Sequence, residues 1–197
     1  GNDTVIGTDF DNVISTGSGS DTIFAGGGSD IIKSGTGTDR IDLSESVQSL
    51  DTVTLNSTST DLGIDTIYGF SQGVFGDILD ISAILISVSE LFPLVVSWSA
   101  PTANFGGGIL RVVGSDVSNP SDLLGAFQAG GGLETLSIDS GESALIVSAG
   151  TQATGEDQYV FAAANSGGEI SIQQLAILQG NALDIDQWHV DNFSLIA

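Results

Sequence analysis

A nine-residue phase runs through residues 1–43 and restricts the fold of this chain more than any other feature. Counting in steps of nine places Asp3, Asn12, Asp21, Asp30 and Asp39 at one repeat position, and Val5, Ile14, Ile23, Ile32 and Ile41 two residues further on. Gly1, Gly19, Gly28 and Gly37 stand two residues before the acidic position, with Phe10 the exception, and Gly17, Gly26 and Gly35 stand two before those. A Gly/Ser-rich linker has no reason to keep an aliphatic residue in register. The glycines therefore mark turns between short strands. Glycine adopts the positive φ of a tight turn and lets carbonyl oxygens approach an ion without a Cβ in the way. An Asp beside such carbonyls suits calcium, which takes six to eight hard oxygen ligands at about 2.3–2.6 Å.

The pattern resembles the nonapeptide G-G-x-G-x-D-x-U-x of the RTX calcium-binding family over residues 1–43. That resemblance implies a parallel β-roll in which x-U-x is a strand with U pointing inward, G-x-G-x-D is a turn, and two nonads make one coil. Turns that share an ion are then eighteen residues apart, pairing Asp3 with Asp21, Asp21 with Asp39, and Asn12 with Asp30. Gly17, Gly19, Gly26, Gly28, Gly35 and Gly37 would offer their carbonyls. Asn12 is neutral and its turn carries Phe10, so the Asn12/Asp30 site is expected to be the weakest.

Composition agrees. The 197 residues hold 25 Asp and Glu against 3 Lys and Arg, a formal net charge of −22. Lys33, Arg40 and Arg111 cannot neutralise that surplus, and divalent cations are the missing counterions. Nucleic acid and anionic lipid are excluded as expected partners, because phosphate binding needs clustered Lys or Arg. Yet 41% of the residues are hydrophobic, enough for a core and too many for a disordered acidic segment. With no cysteine, metal is the remaining staple. No apolar run reaches the roughly 18–20 residues of a membrane span, and no N-terminal signal peptide is visible. The chain starts in mid-repeat and has no Met, so the expectation is a piece of a longer protein.

Beyond the nonads the sequence predicts a β-rich domain over residues 46–197. Strands are expected at Asp51–Leu55, Ile64–Phe70, Gly76–Ser82, Leu94–Trp98, Ile109–Val113, Leu133–Ile138, Ala144–Ser148, Gln158–Ala162, Glu169–Ile172 and Leu175–Gln179. Residues 83–91 read as a short helix or a further strand. One more helix is expected after Asn119 as cap and Pro120 at the first position, ended by the glycines from Gly130. The fold class is thus all-β: a short parallel β-roll, residues 1–45, followed by a sandwich- or roll-like C-terminal domain with one or two short helices.

Residues 63–82 resemble the D-x-I-x-x-F…G-D-x-L-D-L-S element that follows the roll in serralysin-type proteases, S-layer proteins and large adhesins. The resemblance implies further calcium ligands at Asp65, Asp77 and Asp80. The end of the chain, "DIDQWHVDNFSLIA", resembles the C-terminal signal of type I secretion substrates at Asp191, Phe193, Leu195 and Ile196. His189, the only histidine, reads as a packed partner of Trp188. No thiol, no H-E-x-x-H and no G-x-S-x-G motif is present, so no enzyme is expected within these residues. The function expected is a calcium-binding C-terminal module of a secreted bacterial RTX protein, with calcium ions, the type I secretion machinery and self-assembly at the cell surface (S-layer or adhesin) as its partners. The alternatives are a non-catalytic C-terminal domain of a secreted hydrolase such as a serralysin-type protease, and a carbohydrate-binding adhesive module stacking sugars on Tyr68, Trp98, Tyr159 and Trp188.

Overall fold

The computed structural model describes residues 1–56, 63–82, 94–97, 108–113, 117–128, 131, 138–141, 143–149, 157–180 and 188–194. Two sheets carry the chain. The phased segment alternates between them: β1 (Thr4–Ile6), β3 (Thr22–Phe24) and β5 (Arg40–Asp42) lie in one, β2 (Val13–Ser15) and β4 (Ile31–Lys33) in the other. Strands eighteen residues apart pair in parallel and in register, Val5 beside Ile23 beside Ile41, and Ile14 beside Ile32. This is the β-roll expected from the nonads. Its interior is one aliphatic column: Ile23, Ile32 and Ile41 are fully buried and Ile14 nearly so, while Val5 is half-buried on the first coil.

The roll does not stop where the nonads do. Both sheets run on past residue 45 through β6 (Thr52–Thr54), β7 (Asp65–Tyr68) and β8 (Ile78–Asp80), which stack in parallel on β4, β5 and β6 respectively. Val53, Ile67 and Leu79 extend the buried column, and Ala25, Leu43, Leu55 and Ile81 fill a second position two residues later. The spacing is kept because each strand still reads D-x-U: Asp51 and Val53, Asp65 and Ile67, Asp77 and Leu79.

From β7 the first sheet continues into β13 (Glu169–Gln179), β12 (Gln158–Ser166), β11 (Ser143–Ala149), β10 (Gly108–Val113) and β9 (Leu94–Ser97). β12 and β13 form an antiparallel hairpin turned by Gly167 and Gly168, both at positive φ. Two separate strands were expected over 169–179. The structure has one, with an irregularity opposite Val160 and Phe161 where the sequence reads as a break. Leu145, Val147, Val160, Leu175 and Leu178 join the core of the roll, whereas Ala144, Ile146, Phe161 and Ala163 turn to the other face with Val112, Leu123 and Ala126. Leu123 and Ala126 belong to α1 (Pro120–Ala126), where Asn119 caps as expected by accepting the Asp122 N–H at 3.0 Å. The helix ends at Ala126, before the glycines. The element expected at 83–91, and Leu133–Ile138 apart from Ile138, lie outside the described residues.

The second sheet is completed by β14 (Phe193–Ser194), which pairs in parallel with β8. Trp188 stacks on Phe70 (centroids 5.5 Å) and on Phe193 (4.9 Å), closing the end of the aliphatic column.

Candidate metal centre

The turns preceding the strands align along the two edges of the roll. On the first edge the Asp21 carboxylate accepts the backbone N–H of Asp3 at 2.7 Å, Asp39 accepts that of Asp21 at 2.8 Å, and Asp65 accepts that of Asp39 at 3.0 Å. On the second edge Asp30 accepts the N–H of Asn12 at 2.7 Å, Asp51 that of Asp30 at 2.8 Å, and Asp77 that of Asp51 at 2.9 Å. The structure thus brings Asp3, Asp21, Asp39 and Asp65 into one ladder, and Asn12, Asp30 and Asp77 into another. Asp51 joins the second. It carries no nine-residue phase, and the D-x-U spacing is the signal by which it could have been found. Asp80 stands apart at the far end of β8, its carboxylate bonded to the Ser82 N–H and the Thr54 hydroxyl.

The turns themselves explain the glycines. Gly35 has φ of +97°, and a Cβ there would sit 1.7 Å from the Gly17 carbonyl oxygen of the preceding coil. Gly37 has φ of +120°, with its Cβ position 2.1 Å from the Gly19 oxygen. No other residue permits this approach. The carbonyls of successive turns are thereby crowded together beside the Asp row, the arrangement that a hard cation requires. Gly26 and Gly28 repeat it on the second edge against the turn of Thr8 to Asp11. Asn12 is diverted within that turn: its Oδ1 accepts the Thr8 N–H at 2.8 Å, and its Nδ2 donates to Thr8 Oγ1 at 3.1 Å.

Asp3, on the first coil, is exposed, but the other ladder carboxylates are buried: Asp30 and Asp51 are 1% exposed and Asp21 2%. Backbone N–H groups satisfy one oxygen of each. The second oxygens of Asp21 and Asp30 are shut off from solvent and have no hydrogen-bond partner. A buried, unmatched anion is costly unless a cation accompanies it. Burial pushes Asp51 up to about 7, despite the Asp30 N–H and helped by the charges of Asp77, Asp30 and Glu45. Burial likewise pushes Asp77 up to about 6 and raises Asp30, beside which Asp11 and Glu45 add their charges. The guanidinium of Arg40 is engaged with Asp42 at 3.0 Å and lies between the rings of Phe24 and Tyr68. Among the described residues no three carboxylates or imidazoles converge on one point, so an ion here would be held by one or two Asp oxygens together with turn carbonyls. The orphaned Oδ2 atoms and the glycine cradle fit calcium in that role.

The chain's end is built into the same architecture. Asn192, fully buried, accepts the N–H groups of Gly73 and His189 through Oδ1, both at 3.0 Å, and donates to the carbonyls of Gly73 and Asp77. Sequence reasoning passed over it in favour of its neighbours. Asp191 is exposed, Phe193 is buried in β14, and Leu195 and Ile196 lie outside the described residues. His189 Nδ1 lies 3.1 Å from the Asp191 carboxylate at the surface. Of the aromatic residues considered for sugar stacking, Trp188 is buried, Tyr159 packs against the second core cluster, Tyr68 is half-buried beneath Arg40, and Trp98 lies outside the described residues.

The family model of the RTX calcium-binding nonapeptide repeat, in four copies, matches residues 1–32. No curated protein matches the chain. Among solved structures it is similar to the AlgE6R2 subunit from the Azotobacter vinelandii mannuronan C5-epimerase, with 20% identity and a TM-score of 0.42 over 98% of this chain and 94% of that one. Residues 1–32 thus match the RTX calcium-binding nonapeptide repeat, and the structure winds the same residues as the first coils of a β-roll.

Proposed function

We propose that the chain is the calcium-gated folding module of a secreted bacterial protein, unfolded where free calcium is scarce and ordered outside the cell. The observation that carries this reading is the pair of Asp ladders, whose buried carboxylates repel one another and whose second oxygens on Asp21 and Asp30 lack partners. Bound calcium would supply the positive charge that these oxygens and the turn carbonyls need. The ligands we propose are Asp3, Asp21, Asp39 and Asp65 on one edge and Asp30, Asp51 and Asp77 on the other, with the carbonyls of Gly17, Gly19, Gly26, Gly28, Gly35 and Gly37. Residues 1–45 provide the regular repeats. Residues 46–197 provide longer coils, the lateral sheet and the cap, with no catalytic role.

Export by a type I route, guided by Asp191, Phe193, Leu195 and Ile196, and assembly at the cell surface belong to the same proposal. So does the reading as the non-catalytic end of a secreted hydrolase, since each uses the module identically. An ion present at about ten times its dissociation constant adds roughly 1.4 kcal/mol per site, so several sites change a marginal roll into a stable one. Far-UV circular dichroism and amide exchange of the full chain, in EDTA and then in millimolar calcium, test this. The expected result is calcium-dependent protection of the amides in residues 1–45. Equal protection in both conditions would refute the gating.

A further inference from the structure

We propose that Asn192 is a positioning residue for the last calcium site of the second edge: from the C-terminal segment it holds the turn that carries Asp77, so that calcium binding there and docking of residues 188–194 strengthen each other. The inference rests on the reading of Asp77 as a calcium ligand and adds to it a residue that touches no ion itself.

The turn before Asp77 lacks what shapes the turns of the nonads. It reads "SQGVFGD" (71–77). Phe75 stands two residues before Asp77, where the nonads carry glycine, and takes φ of +70° with its side chain 82% exposed. A bulky residue is strained in that region, and an exposed ring recovers nothing by burial. Such a conformation persists when its surroundings over-determine it.

Asn192 supplies much of that restraint. Its Nδ2 donates to the Asp77 carbonyl at 2.8 Å and to the Gly73 carbonyl at 3.2 Å, and its Oδ1 accepts the Gly73 N–H at 3.0 Å. Asp77 is then fixed on every side. Its N–H donates to the Ser71 carbonyl at 2.7 Å, and its carboxylate accepts the N–H groups of Ser71 at 2.7 Å and Asp51 at 2.9 Å. A second tie joins the same turn to the other end of the same segment: Gln158 Oε1 accepts both the Gln72 side-chain amide at 3.0 Å and the Trp188 indole N–H at 2.5 Å.

The register shows what Asn192 replaces. Phe193 lies beside Leu79 in the parallel pair of β14 and β8, so Asp191 and Phe193 repeat the D-x-U spacing of Asp77 and Leu79 as one more coil. Yet Asp191 does not enter the ladder. It is exposed, its carboxylate lies beside His189, and the Asp77 N–H that it would accept goes to Ser71. The 3-10 turn Val190–Asn192 presents the next side chain to Asp77 instead. A neutral amide fastens the coil there without lengthening a row of like charges.

The test is calcium titration calorimetry on the full chain, on Asn192→Ala, on Asp77→Asn and on the double variant. Asp77→Asn keeps the acceptor for the Asp51 N–H and removes the charge. Each single variant should weaken one class of ions about tenfold or more, and the double variant should bind no more weakly than Asp77→Asn, because both changes act on one site. Losses that multiply, or unchanged binding in Asn192→Ala, would overturn the positioning role and leave Asp77 a ligand. Unchanged binding in Asp77→Asn would overturn the reading of Asp77 and the proposal with it. If Asn192→Ala does not fold at saturating calcium, amide exchange on the unaltered chain and on Asp77→Asn decides. Asn192 Oδ1 accepts the N–H groups of Gly73 and His189, and calcium should slow exchange at both about tenfold more in the unaltered chain than in the variant. Equal slowing in the two would overturn the proposal.

Discussion

The Oδ1 atom of Asp51 accepts the backbone N–H of Asp30 at 2.8 Å across 21 residues of sequence. The same bond joins Asp21 to Asp3 across 18 and Asp77 to Asp51 across 26. Each coil is therefore fastened to the next by a carboxylate, whatever the length of chain between them. That fastening has opposite energetic signs with and without a cation.

Replacing Asp51 by Asn should separate the two. The amide oxygen still accepts the Asp30 N–H, but the buried charge is gone. In EDTA at pH 8 the variant should melt a few degrees higher than the unaltered protein, since about 1 kcal/mol corresponds to roughly 2–4 °C at this size. In saturating calcium it should melt lower. Scanning calorimetry in both buffers checks the crossover, and a shift of the same sign in both would contradict it.

The pH dependence follows from the same groups. Asp51 and Asp77 are raised to about 7 and about 6 from an ordinary value of 3.8, chiefly by burial. The folded state therefore binds their protons more tightly than the unfolded state. In the calcium-free protein this contribution is fully present below about pH 4 and is lost as pH rises through 6 and 7. Calcium affinity should run the other way and fall as pH drops below about 7, because the ligands must be deprotonated. Asp42 contributes oppositely in a lower window: burial works to raise it, but the bonds from Ser44 and Arg40 hold it below its ordinary value. Thermal melts in EDTA between pH 5 and 8 should show falling stability.

Asp21→Ala should reduce calcium affinity more than Asn12→Ala. Asp21 lies between two stacked turns and has an unpartnered oxygen, whereas the Asn12 side chain is bonded back to Thr8. Isothermal titration showing equal losses would remove the stacked-turn assignment.

Gly17 and Gly35 occupy equivalent places at the same φ of +97°, yet a Cβ on Gly17 meets nothing within 4 Å whereas one on Gly35 meets the Gly17 oxygen. Gly17→Ala should cost only the conformational strain, about 1–3 kcal/mol. Gly35→Ala adds a clash with backbone and should cost clearly more, together with calcium binding on the first edge. Denaturant titration of both variants in calcium provides the comparison.

Asn192→Ala would strip a partner from the N–H groups of Gly73 and His189 and from the Asp77 carbonyl, while the Gly73 carbonyl keeps the Gly76 N–H, at about 1–3 kcal/mol for each group left buried and unsatisfied. Asp191→Ala, on an exposed side chain, should leave stability nearly unchanged. If the terminal segment also serves export, secretion assays should register Asp191→Ala even though its melting curve does not move.

The nonads made the first coils legible down to the inward residue, because turn, acid and aliphatic recur at one period. Asp51, Asp65 and Asp77 continue the ladder outside that period, so counting by nine ends at Asp39 although the stacking does not. Gln173 and Gln174 interrupt the apolar pattern and read as a strand boundary, yet they pair with Ala162 and Phe161 within β13, and the irregularity falls beside them at Leu175. Asn192 was illegible for a different reason: its four bonds reach Gly73, Asp77 and His189, and a partner 119 residues away leaves no trace in local sequence.

The steps of the roll differ in how far apart their partners lie. From β1 to β5 each strand finds its neighbour after 18 residues, so these coils can zip up one at a time with small loop-closure cost. β7 is flanked by β13 through Asp65 and Ala176, and β8 by β14 through Leu79 and Phe193, separations of 176 − 65 = 111 and 193 − 79 = 114 residues. Contacts at that range form slowly. One end of the molecule is thus a zipper that opens and closes tooth by tooth, and the other is a clasp that engages only when the two halves of the chain meet.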